Sequence, residues 1–358
     1  MIKYKLLIIN PGSTSTKIGV FENESLICEE TLRHSVKDLK NFSKMYDQLH
    51  FRKDIILKTL KNNNIDLDTI DCAIGRGGLL KPIVGGTYEI NELMIEHLKI
   101  GFLGEHASNL GGLLAYEFTK DIGCKSYIVD PVVVDELQDV ARISGLKDIE
   151  RVSIFHALNQ KAIARKYAKS IGKRYEDLNL IVAHIGGGVS VGAHKNGKVE
   201  DCANSLDGDG SFSPERAGGL PVGELIKLCY SGKYSYEELK RRITGYGGLV
   251  SYLGTNDGRE VVRRIQDGDE YAKSIYYAMA YQISKEIGAI STVLMGEVDA
   301  ILLTGGIAYD GLFVDWIKEM VSYISEVYVF PGEDELTALA EGGLRILRGE
   351  EEAKVYSR

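Results

Sequence analysis

The sequence lacks paired cysteines, basic runs and long apolar stretches and is poor in proline, and each shortage narrows what the chain can do. Its five cysteines, Cys28, Cys72, Cys124, Cys202 and Cys229, are scattered and include no C-x-x-C pair. That spacing excludes the usual zinc and redox motifs and fits a reducing cytoplasm. Forty-three basic residues stand against fifty-one acidic ones, a net charge of −8, and no basic block is present to track a nucleic-acid backbone. Nucleic acid is therefore not expected as a partner. Nowhere do eighteen apolar residues run uninterrupted, and the opening MIKYKLLIIN has lysine inside its apolar run and no small-residue cleavage site. Neither secretion nor a membrane span is expected. Prolines number six, about 2% of the chain against a usual ~5%.

Glycine is in excess. Forty in 358 residues is about 11%, against a usual ~7%. There is no period of three, as collagen would need, and no Gly/Ser tract that would act as a linker. The excess points to many places where backbone turns tightly or approaches something closely. With 44% hydrophobic and 26% charged residues the chain is globular, and its length suits two domains.

The order of local patterns is that of an α/β protein. Lys5 to Asn10 and Lys17 to Phe21 predict a hairpin around INPGSTSTK. Asp54 to Leu60 predicts an amphipathic helix and Ile70 to Gly75 a buried strand. Leu110 to Phe118 and Ala157 to Ile171 read as helices, with a strand from Ser126 to Val129 ending at Asp130-Pro131. At an offset of 174, Leu7-Ile8-Ile9-Asn10 matches Ile181-Val182-Ala183-His184, Gly12 matches Gly186, and Asn23 matches Gly197. One device, strand, Gly-containing turn, strand, polar turn, thus occurs twice, which predicts two homologous domains. A third strand-to-glycine junction is Ala300 to Gly306, and helices are expected over Tyr271 to Leu294 and Leu336 to Leu347.

Neither a Walker A loop nor a G-x-G-x-x-G opening a helix is present. Phosphate binding would need hairpin turns in which backbone N–H groups and hydroxyls converge on an anion. INPGSTSTK offers Ser13, Ser15 and Lys17, HIGGGVS offers Gly186, Gly187, Gly188 and Ser190, and TGGIAYDG offers bare backbone to a nucleotide.

These segments resemble the acetokinase branch of the sugar kinase, Hsp70 and actin superfamily over essentially the whole chain. INPGSTSTK is similar to the first phosphate loop, HIGGGVSVGAH to the second and LLTGGIAYD to the adenosine loop. GRGGLLKP, VDPVVVDEL, SIFHALNQKAIARKYA and FSPERAGGLPVGEL resemble butyrate kinases rather than acetate kinases, which typically show forms like HRVVHGG, FDTAFH and FHGTSH.

The resemblance implies phosphoryl transfer from ATP to a short-chain carboxylate, giving an acyl phosphate and ADP. A carboxylic acid is ionised at neutral pH, since a Glu side chain titrates at about 4.3, so no base is needed. Catalysis rests on positioning and on neutralising charge. By resemblance, Arg76 and Arg216 hold the substrate carboxylate, His156 contacts the phosphoryl group in transit, His184 lies near the terminal phosphates, and Asp130 is the catalytic-site aspartate. Ser13, Ser15, Lys17, Gly186, Gly187 and Gly188 belong to the phosphate loops. Asp257, Gly258 and Arg259 lie beside adenine, and Gly305, Gly306 and Ile307 form the adenosine loop. Magnesium is implied, with Asn10 near it and either Asp334 or Glu335 as its carboxylate ligand. Asp207-Gly-Asp209-Gly-Ser211 looks like the start of an EF-hand loop, but the twelfth position is Gly218, so calcium is not expected.

The architecture implied is two duplicated RNase H-like domains of the actin and Hsp70 type with a nucleotide cleft between them. The first covers 1–150 and recovers 333–358; the second covers 151–332. A cytoplasmic homodimer or an assembly of dimers is implied as well. Two alternatives stay open: an acetate or propionate kinase, and an ATP-gated binding protein of the Hsp70 or actin type.

Overall fold

Leu6, Leu7, Ile8 and Ile9 are all fully buried, so the first strand is apolar on both faces and not merely on alternate residues. In the computed structural model, which describes residues 2–357, it is an interior strand of the sheet in the first of two units. That unit comprises the residues up to Val134 together with those from Asp334 onward. Its strands are β1 (Lys5–Pro11), β2 (Ser15–Glu22), β3 (Ser25–Arg33), β4 (Cys72–Arg76), β5 (Thr87–Glu89) and β6 (Lys125–Val129). β1 pairs antiparallel with β2 and parallel with β4, and β4 pairs parallel with β6. Leu7 and Ile9 face the helices Leu49–Asn62 and Asn109–Thr119 through Ile56, Leu60, Leu110 and Leu114. On the other face, the helix Glu335–Leu347 brings Gly343 against Leu6 and Ile74.

The second unit, Asp135–Glu333, contains β7 (Leu180–Ile185), β8 (Val189–Lys195), β9 (Lys198–Cys202), β10 (Ala300–Gly305) and β11 (Val327–Pro331). The short β12 (Lys354–Val355) pairs with β5 in the first unit. The order β11-β10-β7-β8-β9 repeats the order β6-β4-β1-β2-β3, with the same parallel and antiparallel pairings. The duplication expected from the sequence is therefore present as topology. Ile181, Ala183 and Leu303 pack on the helices Glu270–Ser291 and Gly311–Val321, while Leu180, Val182 and Leu302 pack on Ala157–Ser170.

The offset of 174 holds for the first strand of each copy and breaks at the turn. Gly12 to Ser15 link the paired residues Pro11 and Thr16, whereas only Gly186 to Gly188 link Ile185 and Val189. One residue fewer shifts every later position. Asn23 (φ 52°) therefore corresponds to Asn196 (φ 50°), not to Gly197, both asparagines taking the left-handed conformation of a tight turn.

The first division between units falls after Val134 and not near Glu150, because the segment between is tied to the second unit. Gln138 N–H donates to Glu200 O at 3.0 Å, Val199 N–H to Glu136 Oε2 at 2.8 Å, and Arg151 pairs with Asp201 at 2.9 Å. Glu136 also forms an ion pair with Lys161 at 2.8 Å, the two side chains 3% and 2% exposed.

Candidate active site

In the first unit, the turn after β1 is held from beneath by Arg52, fully buried on the helix Leu49–Asn62. Its Nη1 donates to Gly12 O and Ser15 O at 2.9 Å and to Thr16 Oγ1 at 3.0 Å, and its Nη2 to Ser13 O at 3.2 Å. Gln48 Oε1 takes the Nε hydrogen at 3.1 Å and the remaining Nη2 hydrogen at 2.8 Å. Burial lowers the Arg52 pKa to about 10, which leaves it charged at neutral pH. This buries a positive charge directly behind the Ser13 and Ser15 turn. Lys17 on β2 pairs with Glu29 on β3 at 2.7 Å, both side chains about two-fifths exposed.

Three of the sequence candidates meet at the ends of β1 and β4. Asn10 Nδ2 donates to Glu335 Oε2 at 2.5 Å, and Arg76 Nη1 lies 2.8 Å from the Glu335 carboxylate and 3.4 Å from Asn10 Oδ1. Of the two acidic candidates, only Glu335 joins this group. Asp334 caps the helix that follows, accepting from Thr337 N–H at 3.1 Å. Asp130 is 1% exposed and takes a left-handed φ of 37°. It accepts from Gly86 N–H at 2.7 Å and returns its own N–H to Gly86 O at 3.1 Å, so it also fixes the backbone beside β5.

In the second unit, His156 and His184 stack with ring centroids 4.0 Å apart and planes inclined by 22°. His184, 1% exposed at the end of β7, has its Nε2 3.0 Å from Glu333 Oε1, in the acidic run that the sequence reading linked to the metal. His156 Nδ1 lies 2.8 Å from Ser190 Oγ. Arg216 donates from Nη1 to Ser205 O at 2.9 Å, and its guanidinium lies over Gly188, where a Cβ would come within 2.3 Å of Nη1. Glycine at 188 is thus what lets the arginine reach the turn. Desolvation lowers the Arg216 pKa, partly offset by neighbouring Glu215.

A cavity of about 830 Å³ opens beside these turns, lined by Gly186, Gly187, Asn256, Asp257, Gly258, Arg259, Gly306, Ile307, Tyr309, Asp310 and Glu333. Gly305 ends β10 at φ 95°, and the space beyond Gly306 is open, so bare backbone faces the cavity. A nucleoside can lie flat on such a surface. Arg259 does not extend into it freely: Asp257 caps the helix Gly258–Gln266 and accepts from Arg259 N–H and Nε at 2.9 Å and from Nη2 at 2.8 Å. These bonds to Arg259 hold the Asp257 carboxyl at a pKa of about 2. The acidic run from Asp207 is engaged by protein groups. Lys240 pairs with Asp207, Asp209 accepts from Asn204 N–H at 3.2 Å, and Ser211 N–H donates to Glu286 at 2.8 Å.

Among the described residues, no group of three or more His, Cys, Asp or Glu residues is placed to hold a metal ion, and no helix is long and apolar enough to cross a membrane. One carboxylate and one amide oxygen, as at Glu335 and Asn10, suit a hard cation that keeps most of its shell as water and phosphate oxygen.

Residues 147–322 match the Acetokinase family. The chain is 59% identical over 355 residues to butyrate kinase 2 of Clostridium acetobutylicum, spanning 99% of this chain and 100% of that one. It is 58% identical over 353 residues to butyrate kinase 1 of the same organism, spanning 99% of each. In fold it is similar to the crystal structure of Porphyromonas gingivalis acetate kinase, with a TM-score of 0.77 over 96% of this chain and 100% of that one at 21% identity. The chain belongs to the acetokinase family.

Proposed function

We propose that the chain transfers the γ-phosphoryl group of ATP to the carboxylate of butyrate, or of a branched short-chain acid, giving an acyl phosphate and ADP, reversibly. The observation that carries this is the 59% identity to a butyrate kinase over 99% of the chain. The arrangement of the candidate residues supports it. Arg76 presents a planar guanidinium already engaged with a carboxylate, that of Glu335, which is the chemistry substrate binding requires. Arg216, partly desolvated beside Gly188, suits the charge that spreads over a phosphoryl group in flight. His156 is the group assigned to that phosphoryl group, and Ser13, Ser15 and Gly186 to Gly188 are assigned to phosphate oxygens. The cavity along Gly306 and Ile307 takes the adenosine.

Asn10 and Glu335 would hold magnesium, which, when bound, neutralises phosphate charge. A cytoplasmic setting and a dimeric assembly belong to the same reading; the five cysteines, all free thiols, suit a reducing compartment. The test is acyl phosphate formation from butyrate, ATP and magnesium, trapped as the hydroxamate. Product with butyrate or isobutyrate supports the reading, and none with any short-chain acid overturns it.

A further inference from the structure

Behind His156 runs a chain of polar side chains, its members buried. On β8, Ser190, Gly192 and His194 share one face, and Gln160 from the helix Ala157–Ser170 lies against them. Gly192 makes room for it, since a Cβ there would stand 2.6 Å from Gln160 Oε1. Ser190, His194 and Gln160 are 1%, 0% and 0% exposed, and Tyr175 is 4% exposed.

The direction of every hydrogen bond in this chain follows from one fixed point. Gln160 places one end of its amide 3.0 Å from the Ser190 carbonyl, which only accepts, so that end is the NH2 group. Its oxygen therefore faces His194 Nε2 at 2.9 Å and requires a hydrogen there. His194 Nδ1 is then left to accept from the Tyr175 hydroxyl at 2.7 Å. The second amide hydrogen goes to Ser190 Oγ at 2.9 Å, which also receives the His156 backbone N–H at 3.3 Å. With its lone pairs taken, the Ser190 hydroxyl spends its own hydrogen on His156 Nδ1, 2.8 Å away.

We infer that Ser190 and Gln160 are positioning residues that hold His156 neutral, with its hydrogen on Nε2, so that it meets the phosphoryl group as an uncharged donor. The second half rests on the assignment of His156 proposed above. An imidazolium would need a second acceptor at Nδ1, and Ser190 can provide one only by giving up a bond to Gln160 or by turning its hydrogen elsewhere in a buried site. Titratable groups facing the ring include His184, stacked on it from β7, and, on the far side of that ring, Glu333, which pairs with His184 Nε2. Face-to-face stacking offers no in-plane acceptor for a hydrogen on Nδ1. A neutral donor suits a reaction in which the acceptor carboxylate is already ionised and no proton has to be moved.

The experiment is ring-nitrogen NMR of the full chain carrying 15N-labelled histidine, with His156→Asn to assign the signal, from pH 8 to pH 5.5. The expected result is the Nε2–H tautomer throughout, where a free histidine would charge near about 6.5. Gln160→Glu offers Ser190 an acceptor instead of a donor, which frees Ser190 Oγ to accept from His156. In that variant, and in Ser190→Ala, the His156 ring should titrate in the ordinary range. The kcat should fall about tenfold or more while the KM for ATP stays within about twofold, as expected for a misoriented imidazole rather than a lost binding contact. Ser190→Thr keeps the hydroxyl and should keep both tautomer and kcat, which separates positioning from packing. A wild-type Nδ1–H tautomer, or ordinary titration of wild-type His156, overturns the inference, as does an unchanged ring in Gln160→Glu. A wild-type kcat in His156→Ala overturns the phosphoryl assignment instead, whatever the tautomer.

Discussion

Arg76 and Glu335 form an ion pair, Nη1 to carboxylate 2.8 Å, although 259 positions separate them in the chain. The contact holds a guanidinium at the end of β4, which the proposed function assigns to the substrate carboxylate. Arg76→Ala should raise the KM for butyrate about 10- to 100-fold, the worth of a charge-assisted hydrogen bond, with the KM for ATP changed far less. Arg76→Lys should recover little, because an ammonium cannot offer two parallel N–H donors. Initial rates with butyrate varied at saturating ATP read both; an unchanged butyrate KM in Arg76→Ala would remove this residue from substrate binding.

Gly188→Ala tests the second arginine without touching it. The new methyl would lie 2.3 Å from Arg216 Nη1, so the guanidinium must move away from the turn. Because the displaced atoms end a flexible side chain, the fold should survive with the melting temperature within a few degrees. The kcat should fall by about two orders of magnitude, the loss that follows when one charge-stabilising group is misplaced. A fully active Gly188→Ala enzyme would mean that the position of Arg216 is immaterial.

Arg52 is predicted to be a stability residue as well as a support for the first phosphate turn. Arg52→Met removes the side-chain donor from the carbonyls of Gly12 and Ser13 and from the amide of Gln48, while Ser15 O keeps the Gly12 N–H at 2.8 Å. At about 1–3 kcal/mol for a buried group left unsatisfied, the buried Gln48 amide predicts a loss of about 1–3 kcal/mol. Thermal unfolding should report it, and the KM for ATP should rise in the folded fraction. A melting temperature equal to wild type would contradict the arrangement.

The pH dependence of stability carries a separate signature at Glu286. Burial raises its pKa from 4.5 to about 7, opposed by hydrogen bonds from Ser211 and by Arg151, and assisted by Asp209. A carboxyl whose native pKa stands above its unfolded value stabilises the native state below about pH 4.5, and that contribution disappears as the pH rises through about 7. Glu286→Gln keeps an oxygen for Ser211 N–H and carries no charge. Relative to wild type it should therefore gain stability between pH 5 and pH 8, on the order of 1–3 kcal/mol. Urea midpoints at the two pH values measure this; a difference independent of pH would refute it.

The sheet strands were legible because they are buried on both faces. Leu6 to Ile9 and Leu180 to Ala183 read as continuous apolar runs, and the structure gives strands there. The first long helix was visible only from Asp54, although it starts at Leu49, because its buried stripe of Leu49, Arg52, Ile56 and Leu60 includes an arginine. Periodicity counts apolar residues and misses a charge that enters the core to hold a turn. The match of Asn23 to Gly197 failed because a gapless offset cannot detect a turn shortened by one residue. Gly111 and Gly342, which the sequence left without a role, lie where backbone or strand packs too closely for a Cβ, 2.3 Å from Arg76 O and 2.5 Å from Val129 Cγ2. Asp334 and Glu335 could not be separated in sequence, since one acidic residue capping a helix and one facing a site look alike until Thr337 and Arg76 are placed. Ser190 was read only as a hydroxyl for phosphate, and Gln160 and His194 were given no role, because polar residues on a strand and a helix do not announce that they bond to each other.

The most direct test of the account is a panel of linear and branched C2 to C6 acids, each assayed for kcat/KM with saturating ATP and magnesium. Each methylene seated in an apolar pocket is worth about 1–3 kcal/mol, so a site shaped for four carbons should favour butyrate over acetate by at least about tenfold. The account predicts a maximum at butyrate or a branched acid of similar size. A maximum at acetate would contradict the proposed substrate, and the absence of acyl phosphate from every acid in the panel would contradict the proposed reaction.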